Sequence, residues 1–135
     1  MSNPQMIFVN LPVRDLQATR TFFAALGYSF NPQFSDDNAA CMVISDSIFV
    51  MLLVEPFFQT FTVQPLSDAR RQTEVIIALS ASSRGAVDEM LEKVLAAGGS
   101  EPMPARDYGF MYQRGFADLD GHLWEVAHMD GEPGQ

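Results

Sequence analysis

The chain predicts an α+β fold: two βαβββ modules forming curved mixed sheets around a cavity, with helices on the outer faces. Two observations carry this. A strand followed by a capped, glycine-terminated helix occurs twice, and the caps Asp15 and Ser83 lie half a chain apart. Three short β-type runs separated by turn signals then follow each helix.

The first strand runs from Met6 to Val13, M-I-F-V-N-L-P-V. Asp15 can cap the next helix, which carries Leu16, Phe22, Phe23 and Leu26 inward and stops at Gly27. Strands are expected over Tyr28–Phe34, Ala39–Ser45 and Ile48–Glu55, joined by turns at Asp36-Asp37-Asn38 and Ser45-Asp46-Ser47. In the second half Thr73–Ala81 is a strand and Ser83 a cap. Val87, Met90, Leu91, Val94 and Leu95 make a helical stripe before Gly98-Gly99. Strands are expected over Ser100–Met103, Phe110–Ala117 and His122–His128. Strands joined by such turns pair antiparallel, whereas the strand before each helix returns by a crossover. Each sheet has a second apolar face to bury, so two such sheets, from one chain or two, should curl around shared space.

One domain of 135 residues is expected: module one to about residue 55, a connecting segment 56–72, module two 73–130 and a tail 131–135. The connection carries Phe57, Phe58 and Phe61. A short helix covering the sheet edge is favoured there over an aromatic lid.

Seventeen acidic against 8 basic residues give a net charge of -9, with no cationic surface for phosphates, so nucleic acid and anionic membranes are unsuited partners. No signal-peptide pattern or membrane-length apolar run occurs, and the single Cys41 cannot form an intramolecular disulfide. A cytoplasmic protein is expected. Cys41 has no basic or histidine neighbour in sequence and reads as an inert buried thiol.

The two βαβββ units, the opening N-L-P-V-R-D-L with F-F-A-A-L-G, and the closing D-L-D-G-H-L-W-E-V resemble the vicinal oxygen chelate superfamily. It includes glyoxalases, extradiol dioxygenases, fosfomycin-resistance enzymes and bleomycin-binding proteins. Within it the chain resembles small bacterial proteins described as predicted lactoylglutathione lyases. The resemblance covers nearly the whole sequence and implies a small-molecule substrate or ligand, a homodimer and, in the metal-dependent members, one divalent ion held by the first and last strands of both units. Glu125 stands at the last-strand position, and the other three positions fall at Phe8, near Leu52 and near Ile76. Carbon side chains cannot coordinate a cation. Steps of two along a strand keep the face and reach Asn10 and Glu74, a set with Glu125 suited to magnesium or manganese.

Glu125 is the candidate catalytic and metal-binding residue, a carboxylate inside the apolar strand L-W-E-V-A. Alternation separates it from His122, Trp124 and His128, and both histidines read as structural. A hairpin at Asp120-Gly121 with two or four loop residues would put Tyr112, Arg114 and Phe116 on its face. Arg114 could then neutralise it, so an ion pair and a catalytic or metal-bound role both stay open. Phe8, Asn10, Leu52, Ile76, Tyr112 and Arg114 are the expected substrate-binding residues. Two functions follow: a glyoxalase-like lyase, isomerase or dioxygenase, or a metal-free binding or drug-sequestering protein. The second would use Phe8, Met51, Phe57, Phe58, Phe61 and Trp124 as an aromatic pocket.

Overall fold

The computed structural model describes residues 5–130; the expected tail 131–135 lies outside them. The chain divides into two compact units, with the break between Ser67 and Asp68.

In unit one, β1 (Ile7–Val13) leads to α1 (Leu16–Ala25). The Asp15 carboxylate accepts from the Ala18 amide at 3.0 Å and so satisfies an amide that the first helical turn leaves without a partner. Gly27 ends the helix at φ +105°, a conformation that favours glycine. β2 (Ser29–Asn31) is shorter than expected. Pro32 has no N–H for a ladder and opens a 3₁₀ turn, Pro32–Phe34, capped by the Asn31 side chain. β3 (Ala39–Val43) and β4 (Ile48–Val54) follow, and Glu55 begins α2 (Glu55–Gln59) instead of ending the strand. Pro56 fits the first turn of a helix. The connection thus does form a short helix, packed on β1 and β4.

The sheet order is β1-β4-β3-β2, with β1 parallel to β4 and the other pairs antiparallel. Phe22 and Phe23 of α1 are buried with Leu11, Val13, Val50 and Leu52. Each such side chain contributes about 1.5–3 kcal/mol by leaving water.

Unit two repeats the plan with β5 (Ile76–Ser80), α3 (Arg84–Ala96), β6 (Arg106–Asp107), β7 (Met111–Ala117) and β8 (Leu123–Met129), in the order β5-β8-β7-β6. Ser83 caps α3 by accepting from the Ala86 amide at 3.0 Å. Val87, Leu91 and Val94 are buried with Phe116, Trp124 and Val126. The strand expected over Ser100–Met103 does not form. Ser100 makes only an isolated bridge with Ala117, and Pro102 and Pro104 cannot donate to a ladder. The edge strand is instead Arg106–Asp107, held by Arg84, whose Nη1 and Nη2 donate to the Asp107 carboxylate at 2.8 and 2.9 Å.

Among the described residues no helix is long and apolar enough to cross a membrane.

Candidate functional site: the Glu125 face of the second unit

The hairpin between β7 and β8 decides what Glu125 meets. The Asp118 amide donates to the His122 carbonyl at 3.0 Å, leaving Leu119–Gly121 as a three-residue loop with Gly121 at φ +89°. Such a loop, a turn plus one left-handed residue, has an odd count. The register expected for two or four residues is therefore off by one, and that flips the face. Gly115 lies opposite Glu125, Gln113 opposite Ala127, and Arg114 opposite Val126.

Tyr112 and Arg114 consequently do not join Glu125; they point to the α3 side of the sheet. Arg114 Nε and Nη2 donate to Glu101 at 2.9 and 2.8 Å, and Nη1 donates to Asp88 Oδ1 at 3.0 Å. The Tyr112 hydroxyl also donates to Asp88 Oδ1, at 2.6 Å. These donors hold the carboxyls below their ordinary range, Asp88 through Tyr112 and then Arg114, Glu101 through Arg114. Arg114 is thus committed to two carboxylates on the other face. The ion pair considered for Glu125 is absent.

Glu125 is half-buried and accepts one long hydrogen bond, from Gln113 Nε2 at 3.4 Å. On β5, Ala78 is its register partner and Ile76, 52% exposed, lies on the same face. Gly115 stands across from the carboxylate, and a Cβ there would come within 3.3 Å of the Trp124 carbonyl while meeting Glu125 Cγ at 3.7 Å, an ordinary contact. A cleft of about 230 Å³ opens beside these groups, walled by Ile76, Leu123 and Met103 and carrying Arg106, Gln113 and Glu125. The sequence reading missed Arg106, Gln113 and Gly115. Only the corrected register and the displaced β6 bring them to Glu125.

Trp124 lines this cleft from behind, with its side chain buried. It is 1% exposed, its ring is stacked on Phe116 at 6.0 Å, and its Nε1 donates to Asp118 Oδ2 at 3.0 Å. Asp118 Oδ1 accepts from the Asp120 and His122 amides, so this buried side chain ties the hairpin to the core. Burial pushes its carboxyl up, against the pull of His122 and these donors. His128 Nδ1 lies 3.0 Å from the Ala81 carbonyl, which can only accept, so that nitrogen donates.

In unit one the face bearing Phe8 and Asn10 also bears Phe49, Met51 and Leu53. Leu52 belongs to the α1 side and is fully buried, so it cannot meet a ligand. Met51, register partner of Asn10, corresponds to Glu125, register partner of Ala78. Phe8 stacks on Phe49 at 5.0 Å, and the Asn10 amide donates back to the Phe8 carbonyl at 3.2 Å. Phe57 and Phe61 meet edge to face at 5.2 Å.

The bleomycin resistance protein-like N-terminal family matches residues 5–45. The chain is 30% identical to a hypothetical protein from S. aureus over 94% of this chain and 95% of that one, with a TM-score of 0.79. A glyoxalase-related enzyme from Fulvimarina pelagi is similar at 23% identity, 92% and 87% coverage and a TM-score of 0.77. The chain has the glyoxalase/bleomycin resistance protein fold. A genomically encoded fosfomycin resistance protein from Listeria monocytogenes shares the fold at 20% identity, with 96% of each chain covered and a TM-score of 0.68. The comparison with curated proteins found no match.

Against the donor pattern of metal-dependent vicinal oxygen chelate proteins, the side chains here do not fit a cation. Unit two offers Glu125 with Ile76 at the first-strand position, and its near polar neighbour Gln113 donates to the carboxylate. In unit one the equivalent positions are Phe8 and Met51, neither of which supplies an oxygen or imidazole donor. Glu74 precedes β5 and is exposed. Among the described residues no three histidine, cysteine, aspartate or glutamate side chains are grouped to hold a metal.

Proposed function

We propose that this chain is a metal-independent small-molecule binding protein of the bleomycin-resistance type, with the cleft beside Glu125 as its binding site. The observation that carries this is the chemistry of the Glu125 face: one carboxylate, one amide, one guanidinium and otherwise mainly carbon, around a small cleft of about 230 Å³. The family match over residues 5–45 supports the same reading.

A glyoxalase-like lyase, isomerase or dioxygenase is the second reading. It is favoured by the position of Glu125 itself, a half-buried carboxylate without a cationic partner among the described residues. Metal analysis after purification without chelators, with Glu125→Gln as control, separates the two. We expect no stoichiometric ion and no thermal shift with nickel, zinc, manganese or iron. A stoichiometric ion lost in Glu125→Gln would overturn the metal-independent reading, because a cation bound to the native state must raise its stability.

A homodimer accompanies the proposal. The edge strand β1 and the residue before it expose Met6, Ile7 and Phe8, at 53%, 53% and 51%. Such apolar surface favours a partner. Light scattering reporting a monomer at micromolar concentration would refute this.

A further inference from the structure

The Glu125 cleft holds two opposite charges that do not neutralise each other. Arg106 on β6 is the register partner of Gln113, Gln113 of Ala127, and Glu125 stands two residues along β8 from Ala127, on the same face. At the usual strand spacing the backbones of β6 and β8 are about 10 Å apart. Among the described residues Arg106 Nη1 donates only to the Tyr108 hydroxyl, at 3.5 Å, and Glu125 accepts only from Gln113, at 3.4 Å. Both contacts are at the long limit of a hydrogen bond. Between them lie the Gln113 amide and the open backbone of Gly115, with Ile76, Met103 and Leu123 as apolar walls.

We propose that the ligand class of this cleft is a small dipolar molecule. Its protonated nitrogen pairs with Glu125, its anionic oxygen group pairs with Arg106, and a short apolar body lies on Ile76, Met103 and Leu123. This rests on the binding reading above and sharpens it. A cation alone would leave the guanidinium unsatisfied beside it, and an anion alone would meet the Glu125 carboxylate. A ligand with both charges satisfies both groups in a site whose apolar walls strengthen each pairing. The guanidinium can grip a carboxylate with two parallel donors, which fixes the ligand's direction across the strands.

The test is a ¹H–¹⁵N NMR titration of the full chain, following the Gln113 side-chain amide. The probes are ω-amino acids of four, six and eight carbons, with the amine, the carboxylate and the neutral alcohol of each length. One ω-amino acid should bind about tenfold or more tighter than the amine and the carboxylate of its own length. Glu125→Gln should erase its advantage over the carboxylate, and Arg106→Gln its advantage over the amine. Equal binding by the amine, the carboxylate or the alcohol would overturn the dipolar assignment while leaving a binding cleft in place. So would an Arg106→Gln variant with unchanged affinities. Failure of every probe to shift Gln113 would overturn the binding reading together with this inference.

Discussion

Asp118 is the side chain on which the second unit's hairpin depends, and its removal should be measurable at the residue it holds. Its carboxylate accepts three N–H groups: the Asp120 and His122 amides at 2.9 and 3.0 Å, and Trp124 Nε1 at 3.0 Å. Asp118 is 7% exposed and Trp124 1%, so water cannot readily replace the acceptor. A buried donor left without a partner costs about 1–3 kcal/mol. In Asp118→Asn the amide oxygen can still serve the two backbone groups, but Nδ2 faces the indole N–H, donor against donor. One lost bond gives about 2 kcal/mol. In Asp118→Ala all three donors are stranded; the two turn amides regain some water, and the loss should be about 4 kcal/mol. The assay is built in, because Trp124 is the only tryptophan of the chain. Urea unfolding followed by its fluorescence reports this unit. Each variant should lower the midpoint with little change in slope. A midpoint for Asp118→Ala within about 0.5 kcal/mol of the parent, a typical surface substitution, would refute the argument.

Three further outcomes follow from the same geometry. Gly121→Ala forces a Cβ into the left-handed region at φ +89° and to 2.8–2.9 Å from Arg70 Cγ, Cα and N, so it should destabilise unit two by at least about 2 kcal/mol in the same fluorescence assay. Leu52→Ala should cost about 2–4 kcal/mol, because Leu52 is fully buried under α1, whereas Met51→Ala, on the half-buried opposite face, should cost under about 1.5 kcal/mol; circular dichroism during denaturation would show the order, and its reversal would refute the facing of β4. Acid should weaken unit two: Arg84 holds Asp107 down from 3.8 to about 2, and Asp88 and Glu101 are lowered by Tyr112 and Arg114, so these carboxylates bind protons more readily unfolded than folded. Their stabilisation is complete above their ordinary pKa near 4 and fades toward pH 2, and unfolding midpoints that stay flat from pH 5 to pH 2 would contradict it.

The helices and most strands were legible because their signals are local. Asp15 and Ser83 cap within three residues of themselves, and Gly27 stops its helix through its own φ. β6 was hidden because Arg106–Asp107 has no β-type composition; its position comes from Arg84, far away in sequence. The Glu125 neighbourhood failed on a single residue of loop length. Asp120-Gly121 marked the hairpin correctly, but closure at Asp118 and His122 depends on the Asp118 carboxylate folding over the turn and reaching Trp124. That side chain selected the register and exchanged Arg114 for Gln113 beside Glu125. The placement near Leu52 was also off by one, since a ligand position counted along a strand has no local marker of face.

The repeat itself explains why charge collected on one unit. Equivalent backbone positions carry Met51 and Glu125 on the strand beside the first, and Cys41 and Gly115 across from them. In unit one Cys41 and Leu53 are buried beside Met51, and Phe8 stacks on Phe49, so the face is filled by carbon and sulfur. In unit two Gly115 replaces a side chain with space. Gln113 donates to Glu125 there, and Arg106 lies in the same cleft. The same fold therefore supports an aromatic surface in one copy and a polar cleft in the other.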